Sequence, residues 1–372
     1  MALGRIHVAV VALAAGAALA VVACADVLGI QDRSLDPLAG GGDGGSSSGG
    51  DGGPACADPC AMATGLNHPF AMTVDETNVY WTEYGDSTDD NGSVKACPVT
   101  GCGAGPTVYA ALQAAPRGIA VDATNVYWGT AAGPSGTGAI WSCAIGGCNG
   151  KPTKIAVADT PFGVAVDAQN VYWAEFFQET INRAAKAGGS TGLVYDGGAP
   201  SGAPNGPSIL VVDSQFVYFN DQNVDVYRVA LGGGSLIPMY TDPNGTVLGA
   251  FGLAVDSKDA YIGSVGGIFQ MSKSATSGAT TLAPNVTDVV DLKVDPAGGV
   301  LYWADFGMVG TDGTVGKVAL DGSAPVLLHQ QLVTPEALGV NSANVFWISN
   351  GTVMSDGTTV ASNTGTLYRT TK

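Results

Sequence analysis

One short phrase recurs seven times between Phe70 and Trp347, most clearly as PRGIAVDATNVYW over residues 116–128 and PFGVAVDAQNVYW over residues 161–173. The other copies read FAMTVDETNVYW, PSILVVDSQFVYF, FGLAVDSKDAYI, DLKVDPAGGVLYW and PEALGVNSANVFW. The polar residue at the centre of each copy is Asp75, Asp122, Asp167, Asp213, Asp256, Asp295 and finally Asn341, which separates successive units by 47, 45, 46, 43, 39 and 46 residues. A period of roughly 40–45 residues with several short strand-like runs per unit belongs to propeller blades rather than helical solenoids.

Each unit reads as sheet. In Gly118-Ile119-Ala120-Val121 small and branched residues alternate with the period of a strand, the pattern of a crowded strand near a ring axis. Asp122 to Asn125 is a polar break whose side chains can bond their own backbone, and Val126-Tyr127-Trp128 returns as a second, antiparallel strand. A third strand is expected at residues 93–96, 139–142, 180–183, 226–229 and 315–318, and a fourth after a glycine-rich turn, as at 153–157 and 325–328. Such four-stranded meanders are apolar on both faces and need neighbours on both sides, so the expected fold is an all-β, seven-bladed propeller of four-stranded antiparallel blades. The seventh unit ends at its third strand, residues 365–369. Residues 60–65 sit where a fourth strand precedes every other unit, so the spacing predicts that they close the ring by pairing with 365–369.

The N-terminus addresses the chain to an envelope. Arg5 is followed by an uncharged apolar stretch over residues 8–23 that is short for a membrane span and ends in small residues, which is signal-peptide grammar. Val21-Val22-Ala23-Cys24 resembles the bacterial lipobox, which implies acylation of Cys24, and Ala25 after it implies delivery to the outer membrane. The expected organisation is a signal peptide over 1–23, a lipid-anchored Gly/Ser/Asp-rich tether over 24–59 and a propeller over 60–372. The GGGDGGSSSGGDGGP run within the tether has no apolar residue to bury and reads as flexible coil.

Seven cysteines divide as one plus six. With Cys24 taken by lipid, three close pairs remain: Cys56 with Cys60, Cys97 with Cys102, and Cys143 with Cys148. The last two flank turns between third and fourth strands, where facing residues come within disulfide reach, so three local disulfides are expected in an exported chain. A formal net charge of −17 with no lysine or arginine cluster makes nucleic acid a poor partner. Only His68 and His329 lie beyond the signal segment, and no HExxH, GxSxG or phosphate-binding loop occurs, so neither a catalytic set nor a metal or cofactor site is nominated. Asp86, Asp89, Asp90 and Asn91 form an acidic loop without EF-hand spacing, read as a solvated turn.

Tyr80-Trp81-Thr82-Glu83, Tyr127-Trp128-Gly129-Thr130, Tyr172-Trp173-Ala174-Glu175 and Tyr302-Trp303-Ala304-Asp305 resemble the YWTD motif of the propellers in low-density-lipoprotein-receptor-like proteins, and Leu320-Asp321-Gly322 resembles their conserved turn. Those propellers have six blades; seven are counted here. The resemblance implies a rigid platform for binding a protein, peptide or glycan, without catalysis.

On a propeller, the loops joining second to third strands and those joining blade to blade emerge on one face, where scaffolded binding residues usually sit. The ligand-binding candidates on that face are Glu83, Tyr84, Glu175, Phe176, Phe177, Asp221, Asp305 and Phe306 from the former loops. The blade-to-blade loops contribute His68, Phe70, Arg117, Phe162, Phe251 and Glu336. The alternative is a propeller enzyme resembling gluconolactonases or virginiamycin B lyase, with His68 and Glu83, Glu175, Asp221 or Asp305 as an acid/base or metal nucleus at the channel mouth. A structural envelope protein is a third reading.

Overall fold

A computed structural model describes residues 58–85, 90–131, 137–197, 206–221, 225–241, 252–264, 266–276, 278–286, 288–307, 311–351, 361 and 363–372. They form seven four-stranded antiparallel sheets, each built from strands consecutive in sequence except one. Blade 1 starts at Pro69–Val74, blade 2 at Pro116–Val121, blade 3 at Pro161–Val166, blade 4 at Leu210–Val212, blade 5 at Gly252–Val255, blade 6 at Val289–Val294 and blade 7 at Pro335–Val340. These innermost strands lie against one another in order, and the last packs on the first, so the ring is closed. The expected seven-bladed propeller is the fold.

The exception is the closing blade. Cys60–Leu66 supplies the outermost strand of blade 7 by pairing antiparallel with Gly365–Thr371, from Cys60 opposite Arg369 to Leu66 opposite Gly365. Both ends of the described chain are therefore bound into one sheet, and the edge that Gly365–Thr371 would otherwise expose is covered.

Between the blades the apolar faces meet. Trp81, Trp128, Trp173, Trp303 and Trp347 occupy the same place in the second strands and are all fully buried. Truncating a ring of this kind to alanine costs about 3–5 kcal/mol. Near the axis the innermost strands of blades 2, 3 and 4 approach so closely that a Cβ on Gly118 or Gly163 would overlap the backbone of the next blade. Small residues there are what the alternating pattern of the sequence anticipates.

The repeated aspartates are turn residues. Asp75 Oδ1 accepts from the N–H groups of Thr77 and Asn78 at 2.6 Å, while its Oδ2 accepts from Tyr80 Oη at 3.0 Å. The same Asp–Tyr pair recurs as Asp122–Tyr127, Asp167–Tyr172, Asp213–Tyr218 and Asp256–Tyr261, at 2.7–2.9 Å. In blade 7 the pair changes together. Asn341 still accepts from the N–H groups of Ala343 and Asn344, but Phe346 stands where the tyrosine would be. Burial drives the phenols upward, reinforced by the carboxylate bond, so Tyr127 and Tyr172 are pushed up to about 12 and stay neutral donors.

A second device crosses from blade to blade. The residue following each third strand donates its N–H to the turn between the first two strands of its own blade: Val99, Ile145, Lys186, Leu231, Lys273, Leu320 and Lys372. The three lysines reach back to the preceding blade, Lys186 to Asp122 at 2.6 Å, Lys273 to Asp213 at 2.7 Å and Lys372 to Asp295 at 2.7 Å. Each ammonium also lies over a tyrosine ring of that blade, 5.4–5.8 Å from the centroids of Tyr127, Tyr218 and Tyr302. Burial opposes the charge on Asp122, yet Lys186 and the turn N–H groups outweigh it and hold the carboxyl well below its usual range.

Two of the three expected disulfides are formed at the turns between third and fourth strands, Cys97–Cys102 and Cys143–Cys148, with Cα atoms 4.8 and 5.5 Å apart. Cys60 is disulfide-bonded; Cys56, like Cys24, lies outside the described residues.

The paired change in blade 7 yields a test by double-mutant cycle. Asp167→Asn and Tyr172→Phe, in a blade whose aspartate has no lysine on it, should each lower stability by about 1–2 kcal/mol. Together they should cost less than the sum by about 1 kcal/mol, because the second change removes a group the first has already left without its partner. Urea unfolding of the four proteins measures the coupling, and strictly additive costs would refute it.

Candidate functional site

The mouth of the channel is built from one register position. In five blades the first residue of the innermost strand pairs with the last residue of the second strand: Pro69 with Glu83, Pro116 with Thr130, Pro161 with Glu175, Val289 with Asp305 and Pro335 with Ser349. The residue after it, Phe70, Arg117, Phe162, Val290 or Glu336, therefore stands at the same level in those blades. The corresponding positions of the sequence repeat in blades 4 and 5 are Ser208 and Phe251. Phe251 lies outside the described residues.

Six of the expected site residues come together there. Phe70 lies 6.4 Å from Tyr84 and 6.3 Å from Phe162, centroid to centroid, and Phe162 lies 4.9 Å from Phe176 and 6.4 Å from Phe177. Arg117 sits among them with its guanidinium carbon 4.2 Å from the Phe162 centroid and 5.4 Å from that of Tyr84. Thr82 Oγ1 fixes the strand beneath by donating to the Arg117 carbonyl at 2.8 Å, across blades. The patch spans blades 1 to 3 and is open to solvent: Phe70, Phe162 and Phe176 are half-buried and Phe177 is 49% exposed.

The carboxylates behave differently. Glu83 is buried, with Oε1 accepting from Trp81 Nε1 at 3.0 Å and Oε2 accepting from Lys95 Nζ at 2.8 Å and Asn67 N at 3.2 Å. Glu175 repeats the arrangement, accepting from Trp173 Nε1 at 2.9 Å and from the N–H groups of Asp159 and Thr160 at 3.0 and 2.7 Å. In blade 4 Asn220 does the same for Ile209 N at 2.9 Å. This position ties the end of the second strand to the loop that enters the blade, and polar atoms spent in that way are withdrawn from ligand chemistry. Asp305 accepts from Gly307 N at 2.7 Å and Asp221 from Asp225 N at 3.0 Å, each within one loop, while Phe306 N donates to the Asp288 carbonyl at 3.0 Å and so joins its loop to the one that enters blade 6. His68 has φ of 49°, and its carbonyl accepts from Tyr84 N at 2.8 Å.

Among the described residues no group of three or more His, Cys, Asp or Glu side chains is placed to hold a metal ion. The residues of the enzyme alternative, His68, Glu83, Glu175, Asp221 and Asp305, come from blades 1, 3, 4 and 6 and form no such group. Of the acidic loop, Asp86 and Asp89 lie outside the described residues. A shallow cleft of about 340 Å³ lies between blades 2 and 3 and is lined by Asp159, Trp173, Glu175 and Asn182. Of its two carboxylates, Glu175 is already taken by the bonds just given and Asp159 accepts from Gln178 Nε2.

Glu336 is the acidic member of the mouth ring. Burial among protein atoms pushes its carboxyl up to about 7, against a bond from Asn350 Nδ2 at 3.1 Å that favours the charged form. Neither Asn350 nor the supporting Thr82 and Lys95 was singled out by sequence reasoning. Lys95 and Thr82 occupy ordinary strand positions, and Asn350 falls in a loop that the repeat does not cover.

Comparison with solved structures finds propellers. Virginiamycin B lyase from Staphylococcus aureus is similar with a TM-score of 0.61 at 12% identity, covering 83% of this chain and 97% of that one. A GH74 enzyme from Niastella koreensis gives 0.60 at 14% identity, covering 78% of this chain and 52% of that one. The computationally designed protein Ika8 gives 0.53 at 11% identity, covering 83% and 98%. At these identities the likeness is one of fold. No protein family and no curated protein matches the sequence.

The raised Glu336 carboxyl sets a pH dependence. Its folded pKa near 7 lies above the ordinary 4.5, so its contribution to stability is most favourable below about pH 4.5 and is lost as pH rises to about 7. Glu336→Gln, which mimics the protonated form, should therefore gain in Tm relative to the unaltered protein over that interval and hold a constant margin above it. A margin independent of pH from 4 to 8 would contradict the assignment.

Proposed function

We propose that this protein is a lipid-anchored binding module of a bacterial envelope, with a signal peptide over 1–23, acylated Cys24, a flexible tether to residue 59 and a propeller that presents its channel mouth to a ligand. The observation that carries the binding reading is the open patch of Phe70, Tyr84, Arg117, Phe162, Phe176 and Phe177, drawn from three blades onto one rigid face. Aromatic rings half-exposed around a cation are a recognition surface. The engagement of Glu83 and Glu175 in structural bonds supports binding rather than acid/base chemistry. The lipobox-like Val21-Val22-Ala23-Cys24 and the glycine-rich tether support the anchor, and the Ala25 sorting signal supports the outer membrane.

A second reading has one observation behind it. Glu336 at the mouth, with its carboxyl raised to about 7, is placed in the range suited to proton transfer, as an enzyme on this fold would require.

Peptide and glycan arrays probed with the full chain separate the two. A binding module should retain ligand unchanged and lose roughly tenfold or more in affinity on Phe162→Ala, the ring on which the patch converges. Release of a chemically altered product, abolished by Glu336→Gln, would overturn the non-catalytic reading. For the anchor, fatty-acid labelling in a bacterial host should mark the unaltered chain and leave Cys24→Ser unlabelled; equal labelling of both would refute it.

A further inference from the structure

Arg117 is a buried cation without a counter-charge. It is 4% exposed, its Nε and Nη1 make no hydrogen bond, and among the described residues no carboxylate forms an ion pair with it. Its one side-chain polar contact is a long one, Nη2 to Tyr84 Oη at 3.5 Å. Burial lowers its pKa, but a guanidinium remains ionised throughout the range in which proteins fold. The faces of Phe162 and Tyr84 offset part of the desolvation, yet an aromatic face satisfies no N–H donor in the guanidinium plane. Among the described residues Lys95, Lys186, Lys273, Lys293 and Lys372 each have a carboxylate within 2.8 Å. Arg228 is also buried without one, over the Phe216 ring in blade 4 with its Nε unbonded, but only Arg117 leaves both Nε and Nη1 unbonded and stands beside the aromatic patch of the mouth.

We propose that Arg117 is an anion-recognition residue, and that the mouth takes a small monocarboxylate whose apolar body lies on Phe70, Phe162, Phe176 and Phe177. This rests on the reading of the propeller as a binding module. The planar donor set of the guanidinium matches a carboxylate, and in a site walled by rings such a bond is stronger than in water. The walls decide the rest of the ligand. Four phenylalanines offer no hydrogen-bond partner to the hydroxyls of a polyol, and a chain of formal net charge −17 repels a polyanion, so one negative charge on an apolar body is the chemistry that fits best.

The test uses the full chain and a panel of aryl and alkyl monocarboxylates, from acetate to phenylpropionate and decanoate, each compared with its neutral amide by calorimetry and by Tm. At least one carboxylate should bind tenfold or more tightly than its amide and alone raise Tm. Arg117→Met and Arg117→Lys should erase or blunt that preference, whereas Phe177→Ser, at the exposed lip, should weaken acid and amide alike. The acid-to-amide comparison needs no variant, so it stands even where Arg117→Met fails to fold. Peptides with free and amidated C-termini distinguish the source of the carboxylate: preference for the free peptide terminus over every small acid would replace the small ligand with a peptide end. Equal binding of acids and amides, or no binding by either, would overturn the anion site, while array ligands lost on Phe162→Ala would keep the binding module.

Discussion

A sheet that is apolar on both faces cannot be stable alone, and every other feature of this molecule answers that constraint. Each blade hides a large apolar side chain against its neighbours, a tryptophan in five blades, Phe219 in blade 4 and Ile262 in blade 5, and the series ends only when the last blade meets the first. Closure is mechanical as well as hydrophobic, because the strand Cys60–Leu66 completes the sheet that contains Gly365–Thr371. The glycines at the axis of blades 2 and 3 set how closely the wheel can be drawn together. Once the wheel is fixed, the loops on one face inherit fixed positions, and residues far apart in sequence, such as Phe70 and Phe176, become neighbours without a dedicated element to hold them.

The fold was legible because its determinants are repeated. Asp167 and Tyr172 mean little by themselves, but the same pair in successive units signals a hairpin turn, and the unit lacking a fourth strand points to the segment that supplies it. The site was legible only in part, because it lies where the repeat stops. Reading Glu83 and Glu175 as facing a ligand was reasonable from their place beside a loop; the direction of such a side chain depends on whether the loop offers N–H groups, and here it does. The solitude of Arg117 is a property of three-dimensional surroundings that no spacing encodes. Glu336 and Arg117 were identified by position alone, and their environments, one raising a carboxyl and the other isolating a cation, emerged only with the packing.

The mouth and the latches beneath it share a division of labour. Polar groups at the ends of the second strands are consumed in holding loops to blades, while the ring just inside carries aromatic side chains and two charges of opposite sign in different blades. Stability and recognition are thereby assigned to adjacent residues of the same strands, and the rigid part lies directly under the variable part.

The lysine clamps describe seams of two kinds. Lysines from blades 3, 5 and 7 grip blades 2, 4 and 6, and leucines take the same place in blades 4 and 6. A two-colour pattern cannot run all the way round a wheel with an odd number of sectors; somewhere two sectors of one colour must touch. Here blades 1 and 2 are those two, with Val99 and Ile145 in place of the cation, so the seams on both sides of blade 1 lack a lysine clamp, and each of the two turns carries a covalent sulfur bridge. Parity demands one such break in an otherwise repetitive wheel, and the sequence sets it at the sector that contributes Phe70 and Tyr84 to the mouth.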